Sequence, residues 1–231
     1  MNDIVYILRN GKNEELRYSL RSVERNFPPA RVVFYGGKPD RIEPDLFIPY
    51  TQPGDTKWEK VRNTIEVICK NDNLTEDFWL FNDDFFIMEP VENPQNYYDD
   101  TLEGRIAQIE RAIFGRQSEY SKRLRHLVKT LKEAGIDKPL NYAHHTPMLI
   151  NRKKMLETLE KYPNEPMFRA LYGNINHIGG VNMPDVKFYH NRQPFPIGQY
   201  ASTADDSWKT EKIGQIIRGK FSSYRSRFER G

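Results

Sequence analysis

Two adjacent carboxylates stand between two hydrophobic runs in the stretch DFWLFNDDFFIMEP, residues 77–90. The run before Asn82 is long enough for a buried strand and too short for a helix. Because carboxylates are costly to bury uncompensated, Asp83 and Asp84 predict a cation beside them. Mg²⁺ and Mn²⁺ prefer carboxylate and phosphate oxygens, so a divalent metal is the natural candidate. The alternative is a hairpin turn, since Asn and Asp tolerate tight turns.

Length and composition favour one polar domain. The 231 residues suffice for a single domain with a sizeable core, and 38% hydrophobic against 29% charged residues indicates a soluble protein. No apolar run approaches the ~18 residues that a membrane span needs. The net charge of +3 permits an anionic substrate without calling for nucleic acid.

The expected compartment is the cytoplasm. The N-terminal MNDIVYILRN lacks the basic region, apolar stretch and cleavage site of a signal peptide. The single Cys69 cannot form an internal disulfide, which fits a reducing compartment. It falls in an amphipathic helical pattern, which favours a buried, unreactive thiol.

Strand and helix patterns alternate through the first part of the chain. They predict strands over residues 3–9, 31–35, 46–50 and 78–81, and helices over 16–27 and 58–68. This alternation is typical of an α/β fold with a mostly parallel sheet flanked by helices. Ligands bind at the carboxyl ends of strands in such sheets. Three segments follow predicted strands in this way: Arg9-Asn10-Gly11, Gly36-Gly37 and Asn82-Asp83-Asp84.

The rest of the chain is less regular. Residues 102–134 predict a helical insertion rich in Arg and Lys, either a solvated face or a lid that contacts an acceptor. Residues 208–231 predict a helical tail that becomes basic, with aromatic residues interleaved. Between them the patterns predict strands over 142–150 and 186–190, a helix over 152–161, and loops over 169–180 and 199–207.

The residues at the strand ends suit transfer from a nucleotide-sugar. A diphosphate needs a cation to bridge its oxygens, and one or two acidic residues at a strand end can hold that cation. Asp84 is the first candidate metal ligand, with Asp83 or Asn82 beside it. An imidazole could complete the metal shell, His190 being preferred to three others: His144, His145 and His177.

Cations and glycines near the same strand ends could bind the nucleotide. Arg9 and Arg17 could pair with phosphate or with a base edge. Gly36-Gly37 could let a nucleotide approach the backbone closely, and Asn10-Gly11 belongs to the loop after the first strand.

Other enzyme classes fit less well. The sequence has no phosphate-binding G-x-x-x-x-G-K-[ST] motif, no dinucleotide-binding G-x-G-x-x-G motif and no G-x-S-x-G motif. Two interpretations stay open. One is a two-metal hydrolase or nuclease that uses Asp83, Asp84 and Asp205, and the other is a non-catalytic module that binds a glycan or nucleic acid.

The clearest sequence blocks are DIVYILRNGKNEELRYSLRSVERNFP, RVVFYGGKPD and FWLFNDDFFIMEP, followed later by HTPMLINR, RALYGN, DVK and STADDSW. Together they resemble a group of glycosyltransferase-like proteins common in phages and bacteria, over most of the chain. The first blocks are also similar to the Stealth family of sugar-phosphate transferases, which share an ELRYSLRSVE-like and an NDD-containing block. The chain reads Arg9-Asn10-Gly11 where that family has an aspartate-glycine ending, and it is short for the family. Both departures favour a glycosyltransferase.

The resemblance implies a single GT-A-like domain over 1–231, with a DXD-like motif at Asn82-Asp83-Asp84. Asn stands at the first position of this motif, so Asp84 is the implied ligand of Mn²⁺ or Mg²⁺, and Asp83 supports the metal or the donor sugar. The implied donor is a nucleotide-sugar, with a UDP-sugar as first choice. The implied compartment is the cytoplasm, that of the host if a phage encodes the chain.

The leading hypothesis is therefore a metal-dependent glycosyltransferase. Its acceptor could be a glycan, a protein, a wall polymer or a modified base in viral DNA, and DNA is suggested only by the basic insertion and tail. If the enzyme inverts, a side chain must accept the acceptor's proton, and the candidates are Asp206, Asp205 and His145. The alternatives are a Stealth-type sugar-1-phosphate transferase and the non-catalytic binding module.

Overall fold

The structure, a computed structural model, describes residues 2–189 and 197–230. His190, which the sequence predicts as a metal ligand, lies outside the described residues. Within the described part of the chain, no helix has both the length and the apolar character needed to cross a membrane.

Strands and helices are interspersed along the described chain. The first elements are β1 (Asp3–Leu8), α1 (Glu14–Asn26), β2 (Val32–Gly36), β3 (Leu46–Pro49), α2 (Lys57–Cys69), β4 (Asp77–Phe81), β5 (Phe85–Ile87) and β6 (Tyr97–Tyr98). Then follow α3 (Leu102–Ala112), α4 (Glu119–Glu133), β7 (Met148–Asn151), α5 (Arg152–Lys161) and α6 (Phe168–Ile175). The last are β8 (Val181–Asn182), β9 (Lys187–Phe188), β10 (Tyr200–Thr203), α7 (Asp205–Thr210) and α8 (Lys212–Phe221).

The central sheet has five strands in the order β3-β2-β1-β4-β7. The first four are parallel, and β7 joins β4 antiparallel at the edge. One face packs on α2 to α6 and the other packs on α1. Both faces are covered, which explains why the strands are hydrophobic almost throughout. The predicted α/β fold with a mostly parallel sheet is therefore confirmed.

The parallel register brings the predicted strand-end segments to one edge of the sheet. Leu8 in β1 pairs with Gly36 in β2, and Tyr6 in β1 pairs with Phe81 in β4. The segments that follow these strands therefore leave the sheet at the same edge, as predicted.

Helix α1 joins the central sheet to a second sheet, whose strand order is β5-β10-β9. Ser19 Oγ donates to the carbonyl of Phe85 at 2.6 Å, and Asn26 Nδ2 donates to the carbonyl of Ile87 at 2.7 Å. Ser22 Oγ accepts the N–H of Ile87 at 2.9 Å. These side chains form hydrogen bonds with the backbone groups on the edge of β5 that does not pair with β10.

The Asn82-Asp83-Asp84 segment is a tight turn between the two sheets. The N–H of Phe85 donates to the carbonyl of Asn82 at 3.2 Å. However, β4 pairs with β1 and β7, whereas β5 pairs with β10. The hairpin alternative is therefore wrong, although the turn itself is present.

Two segments predicted as loops have regular structure. Most of 169–180 is α6, because Ala170, Leu171 and Tyr172 are buried and Gly173 lies against the Tyr142 ring with no room for a side chain. Residues 200–203 form β10, the buried middle strand of the second sheet. Paired glycines and polar residues suggested loops, but tertiary packing decided the conformation.

Of the strand predicted over 142–150, only residues 148–150 are in a strand, the first three residues of β7. Strand β7 begins at Met148, and residues 142–147 have no regular secondary structure. This irregular stretch positions His144 and His145 beside the edge of the sheet.

The predicted helical insertion consists of two helices, α3 and α4, separated by residues 113–118. Their apolar stripes join the core. Three of their basic side chains pair with acidic neighbours: Lys122 with Glu119, Arg125 with Glu110 and Lys132 with Glu103. These pairs are typical of a solvated helical face, whereas Arg105 of α3 and Tyr120 of α4 line a cavity, so the choice between a solvated face and a lid that contacts an acceptor stays open.

The basic tail also packs on the protein itself. Trp208 stacks on Phe86 with ring centroids 5.5 Å apart, and α8 buries Ile217 and Phe221 in the same cluster. Two tail cations are neutralised within the chain: Lys220 by Glu89 and Arg227 by Asp45. Amphipathic packing therefore accounts for much of the aromatic and basic pattern.

The single cysteine is a core residue. Cys69 is 3% exposed, and burial raises the pKa of its thiol to about 12. Since the thiolate is the nucleophile, this thiol is unreactive at neutral pH, as predicted.

Candidate active site

Two adjoining cavities lie at the carboxyl edge of the central sheet. The first, which we call the strand-end cavity, has a volume of about 470 Å³ and includes Arg9 and Asp83 in its lining. The second, which we call the histidine cavity, has a volume of about 350 Å³ and includes His145 and the ring of Tyr120. Four residues line both cavities: Lys57, Asn82, Phe168 and Arg169.

The strand-end cavity is predominantly cationic. Its lining includes Arg9 after β1, Lys57 and Lys60 in the first turn of α2, and Arg169 in α6, against the single carboxylate of Asp83. Cations at the carboxyl ends of parallel strands suit a phosphorylated ligand.

Asp83 is fixed by the residue that caps α1. Asn13 Nδ2 donates to Asp83 Oδ2 at 2.7 Å, while Asn13 Oδ1 accepts the N–H of Leu16 at 2.9 Å. Burial and the neighbouring charge of Asp84 raise the pKa of Asp83. One asparagine amide thus joins the start of α1 to the end of β4.

Asp84 contacts the second sheet. Ser202 Oγ donates to Asp84 Oδ2 at 3.0 Å, and Lys187 Nζ donates to the same oxygen. The side chains of Lys187 and Asp84 are 13% and 14% exposed. A protein ammonium therefore lies where the sequence predicts a metal ion.

The residues at the end of β4 do not fit a preformed divalent-metal site. Across residues 2–189 and 197–230, no three His, Cys, Asp or Glu side chains are grouped so that they could hold a metal ion. Asp83 accepts a hydrogen bond from Asn13, and Asp84 is engaged by Lys187 and Ser202. The predicted binding of Mn²⁺ or Mg²⁺ by Asp83 and Asp84 stays a prediction.

Glu15 extends this group of carboxylates. Thr203 Oγ1 donates to Glu15 Oε1 at 2.5 Å. Burial raises the pKa of Glu15 to about 7; the hydrogen bond from Thr203 opposes this shift, and the charges of Asp84, Asp83 and Asp205 add to it. The Glu15 carboxyl group is therefore still partly protonated near neutral pH.

We expect Glu15→Gln to make stability less dependent on pH. The pKa of Glu15 is about 7 in the folded protein against an ordinary value of 4.5, so unfolding releases a proton between these pH values. The free energy of unfolding of the wild type should therefore fall as pH rises from about 4.5 to about 7, and stay lower above that. At pH ~8 the variant should be more stable by on the order of 1–3 kcal/mol, and near pH ~4 the difference should vanish.

Denaturant unfolding of both proteins across this pH range measures the effect, with Glu157→Gln on the exposed face of α5 as the control. Parallel stability curves for wild type and Glu15→Gln would contradict the raised pKa of Glu15.

His145 forms the polar centre of the histidine cavity. Its Nδ1 lies 2.9 Å from both carboxylate oxygens of Asp185, and Arg105 contacts the same carboxylate at 3.5 Å. The His145 side chain is 27% exposed and its ring meets the Phe85 ring edge to face. A histidine held in this way by a carboxylate is a candidate proton acceptor.

The charge of Asp185 fixes the tautomer of His145. Burial alone would raise the pKa of Asp185, but the hydrogen bond and charge of His145, with the charges of His144 and Arg105, bring it far below its usual range. The carboxylate is therefore ionised and can only accept hydrogen bonds. The proton must sit on His145 Nδ1, which makes Nε2 the nitrogen with the basic lone pair.

Arg169 lies on the wall that the two cavities share. One of its terminal nitrogens donates to the carbonyl of Thr146 at 2.6 Å, and the guanidinium lies 5.9 Å from the centre of the Phe85 ring. Its Nε is buried without a hydrogen-bond partner in the described part of the chain. Burial lowers the pKa of Arg169 to about 10, while the charges of Asp185 and Asp84 oppose this shift. This desolvated cation has donor capacity for an anion.

The other predicted nucleotide-binding residues have structural contacts. Arg17 lies outside both cavities and pairs with Glu229 at 3.5 Å. Asn10 Oδ1 accepts the N–H of Lys38 at 2.8 Å. Both Asn10 and Gly11, whose carbonyl accepts the N–H of Asp40, therefore tie the loop after β1 to the loop after β2.

The paired glycines allow these two loops to pack closely. Gly36 has φ +108°, and a Cβ on it would lie 2.7 Å from the carbonyl oxygen of Leu8. A Cβ on Gly37 would lie 2.3 Å from backbone atoms of Arg9 and Asn10. The close contacts between backbones are enough to explain why both positions are glycine.

Among the three predicted bases, His145 lines the histidine cavity, whereas in the described part of the chain Asp205 and Asp206 line neither this cavity nor the strand-end cavity. Both aspartates are exposed in the first turn of α7. Asp205 is nevertheless close enough to raise the pKa of Glu15.

A larger cavity of about 610 Å³ lies near the end of α1 and the C-terminal Phe228. Its two arginines are engaged within the protein, Arg31 by Asp3 and Arg227 by Asp45. Because these two arginines already pair with carboxylates, the strand-end and histidine cavities are the better candidate site.

Several residues of this site are not predicted from the sequence pattern. Arg169, Asp185 and Lys187 reach the strand ends only through long-range packing, and Asn13, which caps α1 shortly after β1, contacts the end of β4. Two of the sequence blocks that carry the resemblance do contain these residues. The block RALYGN begins with Arg169, and the block DVK contains Asp185 and Lys187.

No family model matches the chain, and no curated protein matches it. Among solved structures, the chain is similar to galactosyltransferase LgtC in complex with donor and acceptor sugar analogs, at 11% identity and TM-score 0.47 over 95% of this chain and 94% of that chain. An active-site mutant of LgtC gives 12% identity and TM-score 0.47 over 96% and 95% of the two chains. At this level the likeness says nothing about activity.

Proposed function

We propose that the chain is a GT-A-like glycosyltransferase that binds a nucleotide-sugar in the strand-end cavity and an acceptor hydroxyl in the histidine cavity. The observation that carries this proposal is Arg169, a half-buried arginine on the shared wall whose buried Nε has no hydrogen-bond partner among the residues that the structure describes. A diphosphate joins the nucleotide to the sugar, so it has to lie near the junction of the two binding regions. The resemblance of the sequence blocks to glycosyltransferase-like proteins supports the same chemistry.

The donor diphosphate would be bound by cations from separate elements. Arg169 would donate from the shared wall, and Arg9 and Lys57 also line the strand-end cavity. Guanidinium groups match phosphate oxygens in geometry as well as charge. A UDP-sugar is the first donor to test, and the cytoplasm is the expected compartment because of the single Cys69.

His145 is the proposed base of an inverting transfer. Its Nε2 accepts the proton of the acceptor hydroxyl while the acceptor oxygen attacks C1 of the donor sugar. The bond between C1 and the diphosphate oxygen breaks, and its electron pair leaves with the nucleoside diphosphate. The ionised Asp185 stabilises the resulting imidazolium, and Arg169 neutralises charge on the leaving group.

Metal dependence is a separate question. The sequence predicts that Asp83 and Asp84 bind Mn²⁺ or Mg²⁺, which would neutralise charge on the diphosphate, but within the described residues these two carboxylates do not form a preformed metal site. Lys187 already compensates Asp84, so the steps above are assigned to residues of the chain alone.

Nucleotide diphosphates should stabilise the folded protein. A ligand that binds only the folded state, present at 100 times its Kd, raises the free energy of unfolding by about 2.7 kcal/mol. We expect such a shift with UDP or another nucleoside diphosphate and a smaller one with the monophosphate, which lacks the second phosphate. Thermal unfolding with a nucleotide panel, with Mn²⁺ and with EDTA, measures it.

Two outcomes would contradict the proposal. If no nucleotide shifts the unfolding temperature, the non-catalytic binding module becomes the better interpretation. If turnover releases a nucleoside monophosphate and leaves a phosphodiester-linked sugar, the enzyme is a sugar-1-phosphate transferase.

A further inference from the structure

We propose that Lys187 is a built-in replacement for the divalent cation at Asp84, so that this chain binds its donor and transfers the sugar without a metal ion. The second half of the inference rests on the proposed function, whereas the first half concerns the site alone.

Lys187 is positioned by the second sheet. It lies in β9, directly opposite Ser202 of the parallel strand β10. Ser202 and Lys187 both donate to Asp84 Oδ2, and Lys187 also donates to the carbonyl of Thr203. The N–H of Thr203 in turn donates to the backbone carbonyl of Asp84 at 3.3 Å. The pairing of β9 with β10, and the hydrogen bond between Thr203 and Asp84, therefore hold the ammonium group beside the Asp84 carboxylate.

The ammonium lies beside a group of neighbouring carboxylates. Asp83 adjoins Asp84, and the charges of Asp83, Asp84 and Asp205 all act on Glu15. Buried carboxylates need a compensating charge, which is the reason the sequence predicts a metal here. Lys187 supplies that charge in direct contact with Asp84, with a side chain only 13% exposed.

A divalent ion and Lys187 compete for the same carboxylate. Asp84 Oδ2 already accepts hydrogen bonds from Lys187 and Ser202, so a metal ion on Asp84 would have to bind next to the ammonium group. Binding of a metal would also bring a double positive charge beside the ammonium, a repulsion that burial strengthens. Mn²⁺ therefore binds only after the ammonium is removed.

The test is binding of Mn²⁺ alone, measured by calorimetry on wild type, Lys187→Met and the double variant Lys187→Met/Asp84→Asn. We expect no saturable site in the wild type, one site in Lys187→Met, and loss of that site in the double variant. Lys70→Met is the matched control, because Lys70, which caps the end of α2, pairs with Glu66 at 2.8 Å on the surface and its removal should create no site.

Two results would overturn the proposal: a wild-type Mn²⁺ site that Asp84→Asn abolishes, or a Lys187→Met variant that binds no Mn²⁺. If Lys187→Met does not fold, the wild type decides alone: a nucleotide-induced thermal shift that is unchanged by EDTA supports the proposal, and a shift that EDTA removes overturns it. Since Mn²⁺ binding is measured without nucleotide or acceptor, failure of the proposed glycosyltransferase function would leave the calorimetric result intact.

Discussion

Replacing His145 by glutamine should lower kcat for glycosyl transfer by about 10²–10⁴-fold, the usual contribution of a positioned general base. The Gln side chain can still donate toward Asp185, so the loop should keep its place. The nitrogen lone pair that accepts the acceptor's proton is lost, however. Affinity for the nucleoside diphosphate should change little, because His145 lines the histidine cavity and not the strand-end cavity.

Steady-state kinetics with the donor identified by thermal unfolding provides the measurement. His126→Gln is the matched control, since His126 lies on α4 with 64% of its side chain exposed. If His145→Gln retains at least half of the wild-type kcat, His145 is not the base, and attention moves to Asp205 and Asp206.

Arg169→Met should weaken binding of the nucleoside diphosphate by about 10–100-fold, because hydrogen bonds to charged groups contribute about 1.5–3 kcal/mol each. The variant should remain folded. Methionine removes a desolvated cation whose Nε has no partner within the described residues, so the lost contact with Thr146 is offset by a smaller burial cost. A loss of affinity at unchanged stability is the expected signature.

Arg62→Met is the informative contrast. Arg62 also has a buried Nε without a partner in the described structure, but its terminal nitrogens bond to Glu66 and to the carbonyl of Leu159, and it lines neither cavity. This variant should lose stability and keep its affinity. Titration calorimetry with the diphosphate, together with denaturant unfolding, separates the two effects. Equal affinities for Arg169→Met and wild type would remove Arg169 from the donor site.

The first half of the sheet was predictable because its signals are local. Buried parallel strands are hydrophobic throughout, and the alternation with helices fixes their relative direction. These two facts place Arg9 and Asn82 at one edge without any knowledge of the rest of the chain. The prediction of a compensating cation at Asp84 was sound in its electrostatic logic, although a lysine occupies that place in the structure.

The second half was less predictable because its contacts are not local. Strand β9 has only two residues, too few for a periodic pattern, and Lys187 is 103 residues from Asp84 in sequence. Arg169 falls in a segment whose glycines suggested a loop, and the burial of its helical neighbours could not be read from composition. Periodicity reports which face of an element is buried, but not which distant element covers it.

The separation in sequence between Asp84 and Lys187 also affects how the protein folds during its synthesis. During synthesis, β1 to β4 and α1 can assemble from the first third of the chain, whereas the strands that supply Lys187 and Ser202 emerge late. Until they dock, the end of β4 exposes adjacent carboxylates without their compensating charge. A nascent chain at this stage would have the carboxyl edge of the sheet but neither Lys187 nor Arg169, so the proposed site would be complete only after the late long-range contacts form.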